Sequence, residues 1–132
     1  MIDAAYNAWI QTLPSIFDGR SYSEWLPEIG EWRNPACHVR RAGRSGIAYR
    51  EPFAQIPLTH EQHRVQHSSG ELSCLVRFTR DPRIKSALRA ASTDEALRIA
   101  EEFFDGQVQK YREIWRQRTG TAPWDTTEHA NA

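Results

Sequence analysis

The 132-residue sequence predicts an α+β fold, on three observations. A long amphipathic pattern begins at Ser92, and the middle of the chain is rich in Pro and Gly with only short strand-like runs. Between them lies "PLTHEQHRVQH", residues 57–67, which places His60, His63 and His67 within eight positions. A chain of this length can bury a core without staples, so a single domain is expected over 1–120, with a flexible tail at 121–132.

The elements follow in order. Residues 3–13, "DAAYNAWIQTL", carry Ala5, Trp9 and Leu13 four apart with Tyr6 and Ile10 beside them. That spacing predicts a helix capped by Asp3 and ended by Pro14. From Ser15 to Thr59 the breakers Pro27, Pro35, Pro52 and Pro57 leave loops and short strands, the strands at "ACHVRR" and around "FAQIPL". Thr59 followed by Gln62 is a capping box, so a helix starts at His60 and runs to the Ser68-Ser69-Gly70 stop. Ser92 with Glu95 makes a second capping box. The helix it opens, about 93–118, sets Leu97, Ala100, Phe104, Val108, Tyr111 and Trp115 on one face, tolerates Gly106, and stops at Gly120 and Pro123. Cys74 in "LSCLVRF" reads as core, and core packing is also the reading for Trp9, Trp25, Trp32 and Trp115. "RFTRDPR", with Arg77, Arg80 and Arg83, reads either as a second phosphate-contacting surface or, in preference, as a solvated turn.

Global charge names no partner, because Lys+Arg and Asp+Glu both number 17. No run of eighteen apolar residues, secretory leader or lipidation motif stands in the sequence, so a cytoplasmic protein with no membrane partner is expected. Two cysteines in such a compartment are expected as thiols rather than as a disulfide.

The histidines raise the question of a metal. His63 and His67 are four apart on one helix face, a spacing at which two imidazoles can bind one ion. The metalloprotease pattern His-Glu-x-x-His is absent, since "HEQH" is one residue too short. Cys37 and His38 lie at the end of a strand about 25 residues upstream, and a loop bearing Arg40, Arg41, Arg44 and Arg50, with no acid among them, follows. Gly43 and Gly46 in that loop allow backbone to approach a phosphate closely.

Leu13-Pro14, Ala36, His38-Val39-Arg40, Gly43, Gly46, Phe53-Ala54, Pro57-Leu58, His63 and His67 together resemble the HNH, or ββα-metal, nuclease superfamily. Within it the likeness is to small phage-type members related to recombination-enhancement nucleases, and it covers roughly residues 9–71. The resemblance implies a ββα-metal core over 34–70, with an N-terminal helix and C-terminal helices around it. It also implies His38 as the general base, with Cys37, His63 and His67 as metal ligands. The chain departs from the pattern at Ser15 and Thr59, where cysteines are usual, and at Ala54, where the asparagine falls. A second, structural zinc is therefore not expected.

The chemistry suits those residue types. An imidazole titrates near neutrality and can accept a proton from water, and a divalent cation with open positions can stabilise charge on a phosphate. Zinc is the expected ion, with magnesium, manganese or nickel as alternatives. The sequence thus reads as a metal-dependent DNA endonuclease of phage or prophage type, with DNA as partner and a recombination or packaging protein as a further candidate. Arg40 faces the scissile phosphate, and Arg40, Arg41, Arg44, Arg50, His60 and Arg64 contact nucleic acid. Two other readings stand beside it: a non-catalytic zinc-stabilised module that binds nucleic acid or protein, and a metal-free protein that docks a partner on its long helix.

Overall fold

The computed structural model describes residues 3–39 and 51–125. Arg40, Arg41, Arg44 and Arg50, with Gly43 and Gly46, lie outside the described residues, as do 126–132. The described chain is mixed α+β, with two separate two-stranded antiparallel sheets and five helices. None of those helices is long and apolar enough to cross a membrane.

Helix α1 (Ala4–Ile10) is shorter than the apolar spacing suggested and buries Tyr6 and Ile10. Asp3 stands at its N-cap without making a cap bond. Its carboxylate accepts instead from Gln55 Nε2 at 3.1 Å, which ties the helix to a strand 52 residues away. Strands β1 (Glu24–Leu26) and β2 (Glu31–Arg33) form a hairpin closed by Gly30, whose φ of 64° suits a residue without Cβ. Strand β3 (Ala36–His38) pairs antiparallel with β4 (Gln55–Pro57), Cys37 opposite Ile56 and His38 opposite Gln55.

Helix α2 (His60–Ser69) follows β4 directly and opens on the expected capping box, with both the Thr59 and Gln62 halves formed. Gly70, at φ 93°, ends α2 and turns the chain straight into α3 (Glu71–Phe78). Helix α4 (Pro82–Ala90) is capped by Asp81, whose carboxylate accepts from the Arg83 N–H. Helix α5 (Thr93–Thr119) opens on Ser92, which accepts from the Glu95 N–H, and closes on left-handed Gly120. In "RFTRDPR", Arg77 lies in the last turn of α3 and Arg83 in the first turn of α4, and residues 79–81 connect the two helices with Arg80 and Asp81 exposed.

One hydrophobic cluster unites these pieces. Tyr6 and Ile10 of α1, Cys37 and Ile56 of the second sheet, Leu58, Cys74 and Leu75 meet Ala100, Phe104, Val108 and Tyr111 of α5. Cys74 is core, as expected. Leu97 is not: it is 52% exposed, because the first turns of α5 run beyond the cluster. Trp25 and Trp32 depart from expectation too, at 46% and 52% exposed. They face each other across β1–β2 with ring centroids 5.3 Å apart, a cross-strand pair rather than core. The tail is packed at its start, where Trp124 lies against Phe53 at 5.8 Å and Tyr6 at 6.2 Å.

Candidate metal and nucleic-acid site

Strands β3 and β4 and helix α2 place the candidate residues. β4 enters α2 through Leu58 and Thr59 alone, so the helix starts beside the sheet it leaves. Three bonds fix that start. Gln62 Oε1 accepts from the Thr59 N–H at 2.9 Å and from Ser15 Oγ at 2.7 Å, and the Gln62 N–H donates back to Thr59 Oγ1 at 3.2 Å. Ser15 and Thr59, which stand where the resemblance has cysteines, are thus joined through one buried glutamine. Ser23 Oγ accepts from the His60 N–H at 2.6 Å, pinning the foot of the β1–β2 hairpin to the first turn of α2.

On α2, Val65, Gln62 and Gln66 face inward, while His60, Arg64 and His67 are exposed and His63 is half-buried. The His63 and His67 rings lie 4.8 Å apart at 74°, one turn apart on the same helix. Among the described residues, no group of three or more His, Cys, Asp and Glu side chains forms a ligand set.

His38 ends β3 and is half-buried. Its carbonyl accepts from Gln66 Nε2 at 3.2 Å, and the same amide donates to Glu71 Oε2 at 3.1 Å. Gln66 is buried between the two histidine positions on α2, so it fixes the end of β3 against the helix face that carries them. Sequence reading passed over Gln66; its one signal is a polar residue on the inward side of an amphipathic helix.

Cys37 is placed elsewhere. Successive residues of a strand face opposite ways, and while Ala36 and His38 are half-buried, Cys37 is 1% exposed in the core. Its Sγ donates to the Pro35 carbonyl at 3.6 Å. Burial pushes its thiol up to about 12, with the Leu58 N–H pulling down and Cys74 pushing up. Among the described residues the structure does not bring Cys37 into a ligand set with His63 and His67; Cys37 packs in the core.

Arg112 of α5 is the other residue that sequence reading missed. Its Nε donates to the Phe53 carbonyl at 2.6 Å, and its Nη2 donates to Glu51 Oε2 at 3.0 Å and to the Pro52 carbonyl at 3.2 Å. Phe53 needs this clasp, because it is buried at φ 60°, a left-handed conformation that costs a bulky residue on the order of 1–3 kcal/mol. The clasp sets the turn that leads into β4. Ala54, the position of the missing asparagine, is fully buried, and its carbonyl accepts from the Val39 N–H.

No protein-family model, curated protein or solved structure matches the chain.

Proposed function

We propose that the chain is a metal-dependent endonuclease that hydrolyses DNA phosphodiester bonds on an HNH-like ββα core. The observation that carries this reading is the β3–β4–α2 unit: an antiparallel pair with His38 at a strand end, then a helix with His63 and His67 one turn apart and their rings 4.8 Å apart. In this reading His63 and His67 hold a divalent cation, zinc or alternatively magnesium, manganese or nickel, at a site with open coordination positions. The cation supplies stabilisation of negative charge on the phosphate. His38 accepts the proton of the attacking water, and Gln66 keeps the end of its strand in place through the His38 carbonyl. Arg40, two residues beyond His38, faces the scissile phosphate, while Arg41, Arg44, Arg50, His60 and Arg64 contact the backbone.

The test is nicking of supercoiled plasmid with zinc, magnesium, manganese or nickel, alongside zinc content. The His63→Ala and His67→Ala variants are expected to lose metal and melt at lower temperature, because the ion joins side chains of the folded state. His38→Ala is expected to keep metal and fold while losing about 10²- to 10⁴-fold in nicking. Zinc binding without nicking would leave the non-catalytic module; neither metal binding nor nicking would overturn both readings.

A further inference from the structure

The chain between Arg77 and Arg89 carries Arg77, Arg80, Arg83, Lys85 and Arg89 against a single acid, Asp81, in a protein whose charges balance overall. Asp81 is occupied as the α4 cap. Arg77 is paired with Glu61 at 2.9 Å. Arg80, Lys85 and Arg89 are exposed and form no ion pair among the described residues. Helix α4 turns its half-buried Ile84 and Leu88 to the core. Lys85 and Arg89, one turn apart, therefore share an edge beside that apolar seam.

This edge borders a cleft. An open, polar depression of about 420 Å³ is lined by Ser21, Thr59, Arg77, Thr79, Arg80 and Lys85, with Phe17 and Phe78 among its walls. Two carboxylates also line it, and both are engaged. Glu61 pairs with Arg77; Asp18 accepts from Ser21 and from the Arg20 and Ser21 N–H groups. Partial burial works against the charge on Asp18, but those hydrogen bonds and then Arg80 hold its carboxyl below the usual range. What the cleft leaves exposed is the positive charge of Lys85 and of Arg80, the latter also acting on Asp18, flanked by hydroxyls.

The cleft meets α2 at Thr59, Glu61 and Gln62. Glu61 lies two residues from His63, so at 100° per residue it is on the far side of the helix from the histidine face. We propose that Arg80, Lys85 and Arg89 form a second contact for the sugar-phosphate backbone of DNA, along the flank of α2 opposite the histidines. The inference rests on the DNA reading above and adds to it a separate footprint: nucleic acid would straddle α2, with the reacting phosphate on one flank and a held phosphate run on the other.

The experiment is fluorescence anisotropy of the full chain with a labelled 20-base-pair duplex and a 20-nucleotide single strand, titrated with salt. Each phosphate neutralised contributes about 0.9 to the slope of log affinity against log salt for duplex and about 0.7 for a single strand. Arg80→Ala/Lys85→Ala/Arg89→Ala should flatten the duplex slope by roughly two to three units and weaken binding at least tenfold at low salt. Arg80→Lys/Lys85→Arg/Arg89→Lys should preserve the slope, and His63→Ala should preserve the α4 share of it. As a second readout on the unaltered protein, DNA should slow acetylation of Lys85. Binding by the wild type with an unchanged slope in the Ala variant and no Lys85 protection overturns this proposal alone. No binding by the wild type, with any of the metals named, overturns it together with the nuclease reading.

Discussion

Two antiparallel pairs of three-residue strands occur among the described residues, and they could hardly be used more differently. In β3–β4 every residue of β4 is buried, and α1 and α5 pack on the pair. In β1–β2 Glu24, Glu31 and both tryptophans are exposed. Isolated two-stranded hairpins are marginal in water, so each pair needs something beyond its own ladder. The first borrows stability from helices distant in sequence. The second relies on Trp25 against Trp32 and on Ser23 holding His60. The candidate chemistry stands on the borrowed pair, where rigidity comes from the core. The lesson is that position in the core, rather than strand length, decides which ribbon can hold a site.

Breaking the buried pair should have the largest effect. Ile56→Ala removes a fully buried side chain opposite Cys37 and is expected to cost about 2–5 kcal/mol in chemical denaturation. A cost under 1 kcal/mol would mean that β4 is not the centre of the fold.

The thiols, Cys37 on β3 and Cys74 on α3, sharpen the comparison. With Cys37 and Cys74 pushed by burial from 9.0 to about 12, the thiolate fraction at pH 8 is about a thousandfold below that of the unfolded chain, and labelling by 5,5′-dithiobis(2-nitrobenzoate) should be slowed to match. The sign for stability follows. Raised folded values mean that the native state binds more protons than the unfolded state between about 9 and 12, so stability is full below 9 and falls as pH rises through that window. Tyr111, raised by burial from 10.0 to about 12, adds to the loss. Urea denaturation at pH 8 and pH 10.5 checks it: equal stability would contradict the burial of these groups.

Arg112→Ala probes the clasp that sets β4. Its loss leaves the Phe53 carbonyl and Glu51 without this donor and is expected to cost about 1.5–3 kcal/mol. Arg112→Lys should recover only part of it, because one ammonium cannot reproduce the guanidinium fork. The smallest effect is expected at the exposed pair. Trp32→Ala should cost about 0.5–1.5 kcal/mol, through the lost ring contact. A larger loss, measured by thermal melting, would make β1–β2 part of the core in all but exposure.

What the sequence made legible was local. The Thr59–Gln62 box, the Ser92 half of the Ser92–Glu95 box and the Gly70 and Gly120 stops each rest on residues within a turn of one another, and each forms. The same holds for His63 and His67, whose neighbourhood is a matter of helix spacing. Less legible were the parts set by distant partners. Gln66 meets His38 across 28 residues, and Arg112 meets Phe53 across 59. Helices α3 and α4 are eight and nine residues long, too short for a periodic pattern to stand out. Cys37 and His38 are adjacent in sequence, yet a strand sends their side chains apart, and only the register with β4 says which one enters the core.

The Arg112 clasp has a consequence in time. At about 5–20 residues per second of synthesis, several seconds separate the appearance of Phe53 from that of the arginine 59 positions later that holds it. Until then the left-handed turn ahead of β4 has no counterweight, and the strand pair beneath His38 lacks the helix that covers it. A nascent chain therefore carries His38, His60, His63 and His67 long before it can hold them in order. On the nuclease reading, cutting power is withheld from the growing polypeptide and arrives with the last long helix.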